Sequence, residues 1–98
     1  MPNTKVGHTI ANQIIRSATS VGANYRAACR AKSNKDFLNK ILIVEEEADE
    51  TLYWLELLKE GNLLQDGVIN ELIKECDELV AIFTSTGRTL RNKNNQIE

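Results

Sequence analysis

Apolar residues recur at steps of three and four along the first third of the chain, the spacing of one face of an α-helix. The stripe consists of Val6, Ile10, Ile14, Ala18, Val21, Tyr25 and Ala28. It predicts a first helix over about residues 4–31. The stretch 17–22 has low helix propensity, which favours a kink or a local weakening of the helix there.

A second helix is predicted to begin after Ser33, because Ser33 is followed three residues later by Asp36 and then by two apolar residues, which resembles a helix N-cap. Gly61 is well placed as the C′ residue that ends this helix. Its apolar stripe consists of Phe37, Ile41, Val44, Ala48, Leu52, Leu55 and Leu58.

A third helix is predicted from Asp66, a residue type that caps helices well. Its stripe consists of Ile69, Leu72, Cys76, Leu79, Phe83 and Leu90. The polar end lacks periodicity, so the chain should form one domain over residues 1–92 and a disordered tail over residues 93–98. Three long helices joined by short loops predict an all-α, antiparallel up-down helical bundle. Helices this long leave an apolar groove that self-association would cover.

Composition agrees with a small aliphatic core, since 42% of the 98 residues are hydrophobic but only 5% are aromatic. The only proline is Pro2, so few positions forbid a helix. Cys29 and Cys76 lack metal-site spacing and are both predicted to be reduced and buried. Neither a secretion signal nor a membrane-spanning run is recognisable, so the sequence predicts a cytoplasmic protein.

Charge is segregated along the chain despite a formal net charge of only −2. Residues 1–40 carry seven Lys or Arg and one Asp, whereas residues 41–78 carry twelve Asp or Glu and two Lys. Arg26 and Arg30 are i,i+4 neighbours, so both can project toward phosphates from one helix face. The alternative, favoured for these two residues, is an ion pair with the acidic second helix. The whole basic group comprises Arg16, Arg26, Arg30, Lys32, Lys35 and Lys40.

The chain offers little for catalysis. Its acidic run at residues 45–50 could suggest a di-iron bundle, but His8 is the only histidine and has no partner at the required spacing. Nucleophile elbows and phosphate-binding glycine loops are also absent from the sequence. The sequence therefore predicts no enzyme, no cofactor and no metal site. Trp54 is expected to pack against another helix or subunit, and Asn24 is either a buried polar specifier or a helix-weakening residue.

Two segments resemble a known family. IIRSATSVGANYRAACRAKSNKDFLNKI (residues 14–41) and EADETLYWLELL (residues 47–58) are similar to the bacterial four-helix-bundle proteins named for 23S rRNA intervening sequences. The resemblance spans about residues 14–86. The positions that match the family motif are Arg16, Gly22, Asn24, Arg30, Ser33, Phe37 and Glu50.

The resemblance implies an antiparallel four-helix bundle that assembles as a ring-like homopentamer and has no enzymatic activity. Related proteins include the accessory protein of diversity-generating retroelements, so the resemblance also implies a reverse transcriptase or another protein as partner, and RNA or DNA bound on a basic surface. That surface is predicted to consist of Arg16, Arg26, Arg30, Lys32 and Lys35.

One departure from the family pattern is expected to matter. An amphipathic helix usually precedes the segment that corresponds to residues 4–17, and here only residues 1–3 precede it. The chain therefore looks short by one helix. The leading hypothesis is a non-catalytic homo-oligomeric bundle that binds RNA or DNA, and its rival is a protein-interaction scaffold in which the basic first helix neutralises the acidic second helix.

Overall fold

The structure of the protein, a computed structural model, describes residues 4–62 and 66–97. These residues form three helices, α1 (Lys5–Cys29), α2 (Asn34–Glu60) and α3 (Asp66–Ile97), and no strand. Both α1 and α3 pack against α2. The predicted all-α, antiparallel up-down bundle is therefore confirmed. None of the described helices is long and apolar enough to cross a lipid bilayer.

The helix ends follow local hydrogen-bonding rules. The Thr4 hydroxyl accepts a hydrogen bond from the Gly7 amide at 2.9 Å, and the Ser33 hydroxyl accepts one from the Asp36 amide at 3.0 Å. The predicted Ser33 cap is thus confirmed. At the end of α2, however, Gly61 has φ −81 and Asn62 takes the left-handed conformation with φ 53. The assignment of Gly61 as the C′ residue was wrong by one position, because asparagine also tolerates this conformation.

The buried face of α1 differs from the predicted stripe. Val6, Ala18 and Tyr25 are exposed. The residues that are buried instead are Gly7, Ile10, Ala11, Ser17 and Ala28. The helix is continuous through residues 17–22. The Asn24 amide donates to the Ser20 carbonyl oxygen at 2.9 Å, so this half-buried residue satisfies its side chain within the helix.

The central helix, α2, has the buried face that the sequence predicts, except that Thr51 is buried and that Phe37 and Leu52 are half-buried. The Thr51 hydroxyl donates to the Ser17 hydroxyl oxygen at 2.7 Å across the α1–α2 interface. Both hydroxyls also lie within hydrogen-bond distance of a carbonyl oxygen in their own helix. A hydroxyl pair therefore occupies a place in the core where the pattern predicted only apolar side chains.

The face that α3 turns toward α2 contains Ile69 and Cys76, as predicted, but Leu72 and Leu79 are exposed. Gly87 is buried, and a Cβ atom there would lie 3.2 Å from Glu45 Oε2 and 3.5 Å from Leu42 Cδ2. Glycine thus allows α2 and α3 to approach closely at this level.

The main core cluster joins all three helices. Its buried members are Ile10, Leu55, Leu58, Ile69 and Cys76. Trp54 is half-buried and packs against this cluster. The backbone of α3 continues through residues 93–97, while the side chains of residues 93–98 lie outside the described part of the chain. Disorder of that segment stays a prediction.

Candidate nucleic-acid interface

The topology brings distant parts of the chain to the same end of the bundle. Because α1 and α3 run parallel and α2 runs antiparallel to both, the C-terminal halves of α1 and α3 flank the N-terminal half of α2. The Tyr25 and Phe83 rings lie 6.0 Å apart between centroids, and the Thr84 hydroxyl donates to Glu45 Oε1 at 3.4 Å. We call the part formed by residues 22–45 and 83–92 the basic pole.

The charges are strongly divided between the two ends. The basic pole carries seven Lys or Arg and two acidic residues, Asp36 and Glu45. Residues 5–21, 46–62 and 66–82 carry four Lys or Arg and eleven Asp or Glu. The cations of the basic pole are Arg26, Arg30, Lys32, Lys35, Lys40, Arg88 and Arg91. The segregation seen along the sequence is therefore a separation in space.

Four of the five residues predicted to bind nucleic acid belong to this pole. Arg26, Arg30, Lys32 and Lys35 are all exposed. They come from the last turn of α1, the α1–α2 loop and the first turn of α2. Among the described residues, no carboxylate lies within 4 Å of any of these four side chains. Among the described residues, neither Arg26 nor Arg30 forms the ion pair with α2 that the sequence suggested.

Arg16, the fifth residue, lies in the acidic part of the molecule. Its Nη1 is 3.3 Å from Glu47 Oε2, and its Nη2 forms an ion pair with Glu50. The hydrogen bond to Glu50 raises the pKa of Arg16 and lowers the pKa of the Glu50 carboxyl. The pair therefore stabilises the fold above the pKa of the unfolded carboxyl, and this contribution is lost as pH falls through the folded pKa. A phosphate would have to compete with two carboxylates for Arg16.

The sequence reasoning missed two arginines of α3. Arg88 and Arg91 are exposed at the basic pole, and Arg91 Nε donates to the Gly87 carbonyl oxygen at 3.4 Å. An available signal was the topology itself, since an up-down-up bundle always places the end of its third helix beside the end of its first. Arg88 and Arg91 are far from the basic first third of the chain in sequence, and only the packing of α3 brings them to the same end of the bundle.

The two cysteines occupy different environments. Cys76 is buried as predicted, and burial raises the pKa of its thiol, as do the nearby carboxylates of Asp77, Asp49 and Glu56. Cys29 is exposed, so the prediction that it is buried was wrong. It is the last residue of α1 and lies next to Ala28, which takes the buried position at this end of the helix.

We expect a thiol reagent to modify one cysteine rapidly in the folded protein at neutral pH and the second only after denaturation. The thiolate is the reactive form, and Cys76 is both buried and less ionised at neutral pH, because the pKa of its thiol is raised. Absorbance titration with a disulfide reagent would measure both phases. Cys29→Ser should remove the rapid phase and leave the slow one, and a rapid phase that survives this substitution would contradict the assignment.

Within the described residues, no group of three or more His, Cys, Asp or Glu side chains could hold a metal ion. His8, in the first turns of α1, is exposed. The site that the described residues do form is a cluster of cations around one end of a helical bundle. Such a cluster of cations is suited to attracting anions.

Together, these features define a small antiparallel helical-bundle protein with one strongly basic end. The family model described as "23S rRNA-intervening sequence protein" matches residues 3–85. The chain belongs to this family. A solved structure from Bacteroides thetaiotaomicron VPI-5482, a protein of unknown function from the S23 ribosomal protein family, is 39% identical and superposes with a TM-score of 0.74. The match covers 79% of this chain and 71% of that one.

No curated protein matches the chain significantly. The described residues form three helices, so the four-helix arrangement with a missing first helix stays a prediction.

Proposed function

We propose that this protein is a non-catalytic, homo-oligomeric helical bundle that binds RNA through its basic pole. The observation that carries the proposal is the collection of seven cations, against two carboxylates, around one end of the molecule. The phosphate backbone supplies most of the affinity of proteins that bind nucleic acid without reading bases, and Lys and Arg side chains are its usual partners. The name of the family, which refers to 23S rRNA, makes RNA the first probe to test.

The exposed arginines support this proposal best. Arg26 and Arg30 stand one helical turn apart on α1, and no described carboxylate neutralises them. Arg88 and Arg91 stand close to one turn apart on α3, which runs parallel to α1 at the same end. Two parallel helices thus each present a pair of guanidinium groups, a spacing suited to successive phosphates of a folded RNA.

The test is the binding of a fluorescent RNA hairpin, measured by anisotropy at several salt concentrations. If about four cations contact phosphates, affinity should fall about 10²-fold between roughly 50 and 200 mM salt. The combined variant Arg26→Glu and Arg30→Glu should weaken binding at low salt by about tenfold or more, because it replaces two attractive contacts with repulsive ones.

The matched control is the combined variant Lys59→Glu and Lys74→Glu. It changes the net charge of the protein by the same amount, but both lysines are exposed in the acidic part of the molecule. It should retain most of the affinity of the unmodified protein. Equal losses in both variants, or no salt-sensitive binding by the unmodified protein, would exclude the basic pole as an RNA site and favour a protein-interaction scaffold.

A further inference from the structure

A polar pocket of about 340 Å³ opens at the basic pole, where α1 ends and α2 begins. We call it the loop pocket; its lining runs from Ala28 to Phe37. The backbone around it is held by hydrogen bonds, since the Arg30 amide donates to the Ala27 carbonyl oxygen and the Ala31 amide to the Ala28 carbonyl oxygen, both at 3.1 Å. The pocket is therefore preformed, as binding pockets usually are.

The loop pocket contains an aromatic ring. Phe37 lines both this pocket and an apolar groove of about 530 Å³ between α1 and α3, where Ile41 and Phe83 are also lining residues. One part of the ring is therefore seated against apolar side chains, while another part is open to the loop pocket. The half-buried state of Phe37 agrees with this placement. A ring presented in this way offers a surface on which a planar ligand can stack.

Hydrogen-bonding side chains complete the lining. Asn34, the first residue of α2, is exposed and lines the pocket together with Ser33. The Asn34 amide group both donates and accepts hydrogen bonds, as the edge of a nucleobase does, and the Ser33 hydroxyl can still donate while it caps α2. A stacking surface next to such groups suits a nucleobase better than an aliphatic ligand.

Cations stand around the loop pocket. Lys32 is one of its lining residues, and Arg30 and Lys35 each lie next to a lining residue in the sequence. All three are exposed. Asp36, the only acidic residue among residues 22–44, is outside the lining. The phosphate of a nucleotide whose base enters the pocket would therefore meet positive charge.

We propose that the loop pocket receives one unpaired nucleotide of a bound RNA, whose base stacks on Phe37 and whose phosphate is held by the cations around the pocket. This inference rests on the proposed function and names the class of RNA that the basic pole selects. A base inside a regular duplex is covered on both faces by its neighbours. Only a base from a loop, a bulge or a single strand can therefore stack on an aromatic side chain.

Two blunt-ended RNA duplexes that differ only by a single bulged adenosine test the pocket. In anisotropy titrations at low salt, the unmodified protein should bind the bulged duplex about tenfold more tightly, an effect within the range of one base–aromatic stack. Phe37→Leu keeps an apolar side chain but removes the aromatic surface. It should bind both duplexes with the affinity that the unmodified protein has for the fully paired one.

Phe83→Leu is the matched control, because Phe83 is a ring of the basic pole that lines the apolar groove and is not a lining residue of the loop pocket. This variant should keep the preference for the bulged duplex. Equal loss of the preference in both variants, or salt-sensitive binding without any preference, would overturn the inference and leave the proposed function intact. Absence of salt-sensitive binding to either duplex would overturn both.

Cys29 gives a readout that needs no variant of Phe37. Its thiol is exposed and lines the loop pocket, whereas Cys76 is buried. With the neutral reagent iodoacetamide, modification of Cys29 should slow in proportion to the fraction of protein bound to the bulged duplex. The control is Val6→Cys in a Cys29→Ser background, which places a thiol at the opposite end of α1, at a residue that is 62% exposed, and should react at an unchanged rate.

Unchanged modification of Cys29 in the saturated complex would overturn the inference. Equal protection by adenosine monophosphate in place of RNA would also overturn it, because the pocket would then take a free nucleotide.

Discussion

Ile41→Ala is expected to lower the free energy of unfolding by about 2–5 kcal/mol, the range found when a fully buried isoleucine or leucine is truncated. Ile41 is 2% exposed and lies in the middle helix, α2. It lines the same groove as Tyr25 and Phe83, whose rings are in contact. Removing three carbon atoms there opens a cavity among side chains from all three helices. Small domains are stable by only about 5–15 kcal/mol, so a large part of the total would be lost.

Urea unfolding followed by circular dichroism at 222 nm would measure the effect, and Ile43→Ala is its matched control. Ile43 is two residues away in the same helix and is 36% exposed. Its truncation removes less buried surface, and alanine is the better helix former, so the loss should stay below about 1 kcal/mol. Equal losses at the two positions would contradict the orientation of α2 in which Ile41 is buried and Ile43 is exposed.

The number and order of the helices and the starts of α2 and α3 could be predicted from the sequence, because each of these starts carries a local signal. Ser33 accepts the hydrogen bond from the Asp36 amide that the capping pattern predicts, and α3 begins at Asp66 as expected. Such signals depend on a few neighbouring residues and on hydrogen bonds within one turn. These signals therefore do not depend on how the helices pack together.

The residues that form the buried face of each helix were harder to predict, because hydrophobicity is an incomplete guide to burial. Ser17 and Thr51 are buried, while Val6 and Leu72 are exposed. A hydroxyl can enter a core when it finds a partner, and these two find each other as well as backbone carbonyl oxygens. Gly87 is buried for a different reason, since its lack of a side chain lets α3 approach α2.

The arginines that α1 contributes to the candidate site could be predicted from the sequence, whereas those of α3 could not. Arg26 and Arg30 are neighbours along one helix, so their shared face follows from helical periodicity alone. The addition of Arg88 and Arg91 depends on the packing of α3 beside α1. The engagement of Arg16 with Glu47 and Glu50 depends on the relative rotation of α1 and α2, which only the three-dimensional arrangement defines.

Ser17→Leu is expected to cost about 2–4 kcal/mol of stability, the sum of an overpacked core and one lost hydrogen bond. Ser17 is fully buried, and its hydroxyl oxygen is 2.7 Å from that of Thr51 on the neighbouring helix. A leucine side chain has no room there unless α1 and α2 move apart. The Thr51 hydroxyl keeps the Glu47 carbonyl oxygen at 2.9 Å, so no buried donor is stranded and steric overlap supplies most of the loss.

Ser85→Leu makes the same chemical change at an exposed position of α3 and should alter stability by less than about 0.5 kcal/mol. Thermal and urea unfolding of the two variants, compared with the unmodified protein, would give both values. The comparison is informative because the apolar stripe of the sequence places Ala18 toward α2, whereas the structure places Ser17 there. If leucine is tolerated at position 17, the result would favour the orientation of α1 that the stripe predicts, with Ala18 toward α2. A large loss of stability for Ser17→Leu alone would favour the structure, in which Ser17 and Thr51 are hydrogen-bonded between the helices.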